Sequence, residues 1–468
     1  MTELAELTLA EIATAIRTRK ASSVEATRAL LTRIEQWQPA LNAFVRLDAE
    51  AALGAAAAAD TALAGGKPKG ALHGVPLAHK DMFYVAGKLA ECGSKLRKGF
   101  IAPATSTAVA RLDQAGTIRL GALHMAEFAY GPTGHNAHLG PAHNPWNQTR
   151  ITGGSSSGSG AAVGARLVYA ALGSDTGGSI RLPAHFCGVS GLKPTYGRVS
   201  RANAMPLSFS LDSVGPLART AEDCSLILSE IAGPDPLDPT TADAPAWDLR
   251  KTTRPASELT IGISSGFYNE NLDADVAATF DATLSTFREL GSKLVPITLP
   301  DQTLINAAAL IVLAVEAASA HAPWLRTRAN DYGPQVRARL ENGLAYSAVE
   351  YLEALRWRAV ALADHLAAIG NVDAIVAPVS STAAPTIEET DVGAGPAAEV
   401  AIGRITRFMR LANYLGLPSL VVPAGSSATN LPIGMQLIGR PFGDETLIAL
   451  GKAFQAATDY HRRTPALA

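Results

Sequence analysis

Two serines set among glycines, and one lysine at the end of an apolar run, are the residues of this chain best suited to covalent chemistry. Ser155 lies in Gly153-Gly154-Ser155-Ser156-Ser157-Gly158, and Ser179 closes Asp175-Thr176-Gly177-Gly178-Ser179. Glycine has no Cβ, so backbone N–H groups in such loops can approach a reacting atom, and the chain can take positive φ. A serine there can serve as a nucleophile while its neighbours donate to a developing oxyanion. Val168 to Gly173 reads as a buried strand that hands over to the second loop, so the amides of Thr176 through Ser179 can converge on one oxygen. A serine hydroxyl attacks only once something removes its proton, and no histidine lies within this cluster. Lys80 ends the run Val75-Pro76-Leu77-Ala78-His79. A lysine desolvated among apolar neighbours has a lowered pKa and can act as a base. A Ser–Ser–Lys relay is therefore chemically sensible.

Other chemistries fit less well. Gly154 to Gly158 also satisfies GxSxG, centred on Ser156, but a nucleophile elbow follows a strong strand, and Asn147-Gln148-Thr149-Arg150 is polar. Gly158-Ser159-Gly160 followed by Gly164 imitates a dinucleotide loop with the wrong spacing and no strand before it. The ten histidines include no HExxH pair, so metal hydrolysis has little support, and no metal or organic cofactor is called for. Cys92, Cys187 and Cys224 form no CxxC pair, which fits a reducing compartment. A net charge of −2 leaves no electrostatic footprint for nucleic acid or an anionic membrane. The first residues lack a basic-then-apolar leader. Thr303 to Ala320, interrupted by Asn306 and Glu316, reads as a buried core helix rather than a membrane span. These readings make a cytoplasmic protein the expectation.

The elements around these residues alternate. Residues 8–62 read as helices, with a break at Gln38-Pro39 and an alanine-rich helix from Asp48 to Ala64. A strand leads into Lys80, a helix covers Thr105 to Ala115, a short strand follows at Ile118 to Gly121, and another helix opens at Ala161. A Pro/Asp-rich linker at 236–258 separates the segment 67–235 from 259–468. Beyond it lie strands at 259–263, 293–297, 373–378, 419–423 and 433–438, with helices between and a closing helix at 445–457. Strands alternating with helices on both sides of the linker indicate an α/β fold.

The stretch 153–197 resembles the amidase signature family. Its GGSSSG cluster, Asp175-Thr176-Gly177-Gly178-Ser179-Ile180-Arg181 and Gly191-Leu192-Lys193-Pro194-Thr195 match the family pattern closely. Gly74-Val75-Pro76 with Lys80-Asp81 looks like its catalytic-lysine segment, and Asn144-Pro145-Trp146-Asn147, 212–220, Gly416-Leu417-Pro418-Ser419 and 431–436 extend the likeness over most of the chain. The resemblance implies one large domain, a mixed sheet covered by helices on both faces, with residues 1–66 as a helical start. It implies that Ser179 is acylated, that Ser155 relays protons after a cis peptide bond, and that Lys80 is the base. Thr176, Gly177, Gly178 and Ser179 match the oxyanion hole, and Gly154, Asp175 and Arg181 support the loop.

The family likeness implies cleavage of linear carboxamides, with carbamates (urethanes), biuret-type ureas and esters open to the same route. The glutaminase component of the tRNA-dependent amidotransferase shares the signature but usually carries glutamine where this chain has Leu182. The expected partner is a small-molecule amide or carbamate, with no nucleic acid or membrane, and a homodimer is possible. Pocket candidates lie at 300–350, after Pro378 and at 402–414, where Trp324, Tyr332, Tyr346, Phe408 and Met409 stand. His135, His138 and His185 sit near matching segments, as pocket residues or as ordinary hydrogen-bonded histidines.

Overall fold

A computed structural model describes residues 2–244, 254–391, 393 and 396–466. Thirteen strands form among them: β1 (Phe44–Leu47), β2 (Pro76–Lys80), β3 (Ile118–Leu123), β4 (His143–Asn144), β5 (Asn147–Ile151), β6 (Ala170–Asp175), β7 (Ser190–Lys193), β8 (Ser213–Ala218), β9 (Thr260–Ser264), β10 (Lys293–Ile297), β11 (Ala374–Pro378), β12 (Ser419–Ser426) and β13 (Pro432–Gly439). Eleven make one sheet in the order β1-β3-β2-β6-β8-β7-β12-β13-β11-β9-β10, and β4 with β5 form a separate ribbon. The sheet is mixed: β2 lies parallel to β3 and β6, the middle strands alternate in direction, and β9 is parallel to β10 and β11.

Strands buried on both faces carry no polar alternation, and β2, β6, β8, β11 and β13 are buried at every position. Helices cover both sides. The face of β13 at Gly434 meets Val421 and His185 of helix Arg181–Cys187, while Leu420 and Val422, on the other face of β12, meet Gly451 of helix Asp444–Ala457. The sheet runs unbroken from the first half of the chain into the second through β7 and β12. Asp235 and Asp238 tie down the start of the Pro/Asp-rich segment by accepting from Ser200 Oγ (2.5 Å) and Arg201 N (2.8 Å). Residues 245–253 of that expected linker lie outside the described residues.

Three local expectations are corrected. Helix Ser23–Leu41 runs through Pro39, because the proline falls in its last turn, just before Asn42 ends it in the left-handed region. Phe44–Leu47, within the expected all-helical start, is an edge strand antiparallel to β3. The helix expected from Ala161 begins at Ser157, although serine and glycine are poor helix formers. All eight of its residues are buried, and only small side chains allow a helix to be packed on every side.

Helix Gln302–Arg328 is long and apolar enough, by length and composition alone, to cross a membrane, and half of its most apolar window is buried. Its polar interruptions make tertiary bonds. Asn306 donates to Arg407 O (3.1 Å), and Glu316 accepts from Ser208, Ser210 and Tyr351.

Candidate active site

The site lies at the carboxyl ends of the parallel neighbours β2 and β6, where α/β sheets commonly present their ligands. Lys80 is the last residue of β2 and is 1% exposed. Its Nζ donates to Ser155 Oγ at 2.7 Å and to Ser174 Oγ at 2.9 Å. Burial pulls its pKa down to about 7, against the opposing pull of Asp212 and Asp175. Lys80 is thus poised between its charged and neutral forms near neutrality. Ser174 is a partner that sequence reasoning missed. Its one signal is a hydroxyl inside a strand, AALGSD, that is otherwise apolar up to the loop.

Ser155 follows a cis peptide bond from Gly154. A side chain at Gly154 would place its Cβ 2.4 Å from Gly131 O, so only glycine fits beneath that strand of backbone. The two Gly/Ser loops are joined by Ser156 N donating to Ser179 O (3.2 Å). Ser179 is 9% exposed, and its Oγ makes no hydrogen bond to a described residue.

Asp175 shapes the second loop. Its carboxylate accepts from the amides of Gly178 (2.8 Å) and Ile180 (3.1 Å) and from Arg181 Nε and Nη2 (both 3.0 Å). Burial alone would raise its pKa, yet the Arg181 guanidinium and these amides hold the carboxyl well below the usual range. Arg181, fully buried, also reaches Met409 O (2.9 Å), Asn413 Oδ1 (2.7 Å) and Gln436 Oε1 (3.2 Å), and Asn413 Nδ2 returns to Asp175 O (2.9 Å). Asn413 and Gln436 were not legible as supports, because their partners stand 238 and 255 positions away in the chain. Removing one partner of a buried pair leaves an uncompensated charge. Asp175→Asn is therefore expected to cost about 3 kcal/mol of stability, read as a lowered urea midpoint; an unchanged midpoint would refute the structural role.

Of the four expected oxyanion donors, Gly178 is corrected. Its N–H is spent on Asp175, and it does not line the cavity described below. Its φ of 118° and a Cβ position 2.7 Å from Met409 Cγ make it a packing glycine. The amides of Thr176, Gly177 and Ser179 have no acceptor among the described residues, and all three residues face the cavity. Thr176 Oγ1 is held by Asp212 Oδ1 (2.5 Å), itself fixed by the Leu207 and Ser208 amides.

That cavity has a volume of about 770 Å³. Helix Gln302–Arg328 supplies Leu310, Leu313 and Ala314 to its wall, and Tyr130, Arg339, Tyr346, Ile402 and Arg410 complete much of the rest. Of the five aromatic and methionine candidates, only Tyr346 lines it. Trp324 stacks on Phe128, Tyr332 bonds His321, Phe408 packs on Tyr268, and Met409 fills the space beside Gly178. None of the three histidines lines the cavity: His185 bonds Gly434 and Thr382, His138 bonds Glu127, and His135 meets Ile387 O through Nε2 while its Nδ1 is buried without a partner among the described residues. Leu182 is fully buried and outside the cavity wall. Leucine at this position is therefore a packing residue beneath the cavity lining.

Residues 25–448 match the family described as Amidase. This chain belongs to the amidase signature family. As a member of it, the protein is a hydrolase acting on C–N bonds. Among its relatives in the family, a glutamyl-tRNA(Gln) amidotransferase subunit from Geobacter metallireducens is 40% identical over 484 residues, covering 98% of this chain and 99% of the relative. Among solved structures, a chain of a vestigial protein complex that reveals the evolutionary origins of an s-triazine catabolic enzyme superposes with a TM-score of 0.90 at 34% identity, covering 96% of this chain and 98% of the other. A native peptide amidase from Stenotrophomonas maltophilia superposes with a TM-score of 0.84 at 28% identity over the whole of both chains.

Proposed function

We propose that this protein hydrolyses a carboxamide through an acyl-enzyme on Ser179, with Lys80 and Ser155 moving the protons. The observation that carries the reading is the 2.7 Å bond from a buried Lys80 Nζ to Ser155 Oγ, behind a cavity that opens on Ser179. Neutral Lys80 accepts the Ser155 proton, Ser155 accepts that of Ser179, and Ser179 Oγ bonds to the carbonyl carbon. The amides of Thr176, Gly177 and Ser179 receive the oxyanion. As the C–N bond breaks, the leaving nitrogen takes a proton from Ser155, which regains one from Lys80. Water then enters by the same relay and releases the acid. The relay requires the Ser155 and Ser179 hydroxyls to come within hydrogen-bond reach when substrate binds, as catalytic hydrogen bonds commonly do.

The test is a panel of primary amides, aryl amides, carbamates, ureas and esters, run with and without hydroxylamine. An acyl-enzyme partitions to hydroxylamine, so hydroxamate is expected in place of part of the acid. Turnover with no hydroxamate from any substrate would count against the covalent route.

A second reading has its own support. The amidotransferase relatives, 40% identical along nearly the whole chain, favour a glutaminase that hands ammonia to a partner more than they favour a free amidase. Expression with the other components of an amidotransferase decides it. That reading expects co-purification and glutamine hydrolysis stimulated by the partners; a solitary chain whose amide turnover they leave unchanged speaks for the first reading.

A further inference from the structure

The loop of residues 207–212 meets the site at two points. Leu207 stands in the cavity wall, and Asp212 holds Thr176 by accepting from its Oγ1 (2.5 Å). The anchor of this loop comes from the second half of the chain. Glu316, on helix Gln302–Arg328, is 2% exposed and lies outside the cavity wall. Both oxygens of its carboxylate are engaged. Oε2 accepts from Ser208 Oγ (2.5 Å) and Ser210 N (3.0 Å), and Oε1 accepts from Ser210 Oγ (2.7 Å) and Tyr351 OH (2.9 Å). All four donors are neutral. Arg358, on helix Ala348–Ile369, fixes the same loop from its backbone side by donating Nη1 to Ser210 O (2.9 Å). Asp212 completes the chain of contacts, since its carboxylate also accepts from the amides of Leu207 (2.9 Å) and Ser208 (3.1 Å).

A buried carboxylate held by neutral donors is a costly way to fill space, because an apolar side chain of similar volume packs there without desolvating a charge. What such a group supplies is direction. Its acceptor bonds fix the loop, and Ser208 carries the constraint onward: its Oγ is bound to Glu316 while its N–H is bound to Asp212. Asp212 passes it to Thr176, whose amide is one of those left free at the cavity beside Ser179. We infer that Glu316 is a positioning residue for the oxyanion hole, acting from outside the cavity through Ser208 and Asp212 on the Thr176 amide. That role rests on the acyl-enzyme reading, because only a tetrahedral intermediate gives the amide an oxyanion to receive. A donor must point at the place the oxyanion will occupy, not at the ground-state carbonyl oxygen. The contribution of Glu316 therefore falls on kcat rather than KM.

Glu316→Gln keeps the shape of the side chain but sets an NH₂ group against donors that now meet an oxygen. On the amide of the panel that turns over fastest, kcat is expected to fall about 10- to 100-fold with KM within about twofold of wild type; the Gly177 and Ser179 amides remain, so the loss stops short of abolishing the reaction. Phenylboronic acid forms a tetrahedral adduct on a serine hydroxyl and needs the same donors. Its affinity should fall in parallel with kcat, whereas competitive inhibition by benzamide, whose carbonyl stays trigonal, should not change. A general loosening of the fold would weaken both ligands together. The acid limb of kcat/KM should stay in place, because Asp212, a charged neighbour of Lys80, keeps its bonds to Leu207 N and Thr176. Ser208→Ala should show the same loss in kcat, and the double variant should lose no more than the larger single loss. If Glu316→Gln does not fold, Ser208→Ala carries the test, since it leaves the backbone bond to Asp212 intact. An unchanged kcat, or a lowered kcat with unchanged boronate affinity, would overturn the role. A shifted acid limb would place the effect on Lys80 instead, and additive losses would overturn the route through Ser208. If the wild-type protein neither cleaves any amide of the panel nor binds phenylboronic acid, the acyl-enzyme reading itself fails, an outcome seen before any variant is made.

Discussion

Ser179→Ala is expected to lower kcat on any accepted amide by about 10⁴- to 10⁶-fold while leaving the fold intact. The size follows from the division of labour. Without the hydroxyl no acyl-enzyme forms, and the residual rate is what binding and the three free amides confer on direct attack by water. The fold is spared because Ser179 Oγ makes no hydrogen bond to a described residue, while the loop is held through Asp175, Arg181 and Asn413. Steady-state rates and circular dichroism check both halves. A variant that is folded and retains even a tenth of wild-type turnover would remove Ser179 from the role of nucleophile.

Lys80→Met carries the second large effect. Loss of a positioned general base typically costs about 10²- to 10⁴-fold in rate, and here the lysine also holds Ser155 and Ser174 by hydrogen bonds. The pH dependence has a definite sign. Lys80 must be neutral to accept a proton, and burial brings its pKa down to about 7. In the wild-type protein kcat/KM should therefore fall about tenfold per pH unit below that value and level off above it. Lys80→Met should lose this limb along with its rate. A wild-type profile that is flat between about pH 5.5 and 8.5 would mean that the group does not titrate in the reaction.

Much of the site was legible because the residue types allow a Ser–Ser–Lys relay and their order matches the amidase signature. A Gly/Ser cluster alone is more often a flexible linker; it is the ordered match to the amidase signature that singles out Lys80, Ser155 and Ser179, and Lys80 and Ser155 do meet. The strands near them were legible for another reason: burial on both faces removes polar alternation, so β6, β11 and β13 read as continuous runs. What escaped were contacts made by folding distant segments together. Ser174, Asn413 and Gln436 look like ordinary polar residues until β6, the helix Arg410–Tyr414 and β13 converge. The donor duty assigned to Gly178 failed because the Asp175 carboxylate, three residues earlier, turns that amide away from the cavity. The cavity wall was the least legible part. Aromatic residues looked like pocket residues, whereas most of them pack on one another and the wall carries arginines and leucines instead.

The position of Arg339 shows why. Its segment lies more than a hundred residues from the signature loops, in helix Pro334–Gly343, and no local pattern announces that its guanidinium bonds Tyr130 O beside Ser179. Composition marks arginine as a surface residue by default. Only the tertiary arrangement places it, with Arg410, in an otherwise largely apolar cavity.

The proposed route requires that Ser179 Oγ be the atom that becomes acylated. The direct measurement is peptide mass mapping after the protein is quenched during turnover of an activated ester or a slow amide. The expected result is one acyl adduct, on the peptide carrying Ser179, present in wild type and absent from Ser179→Ala. An adduct on Ser155 or Lys80 instead, or sustained turnover with no adduct and no hydroxamate, would contradict it.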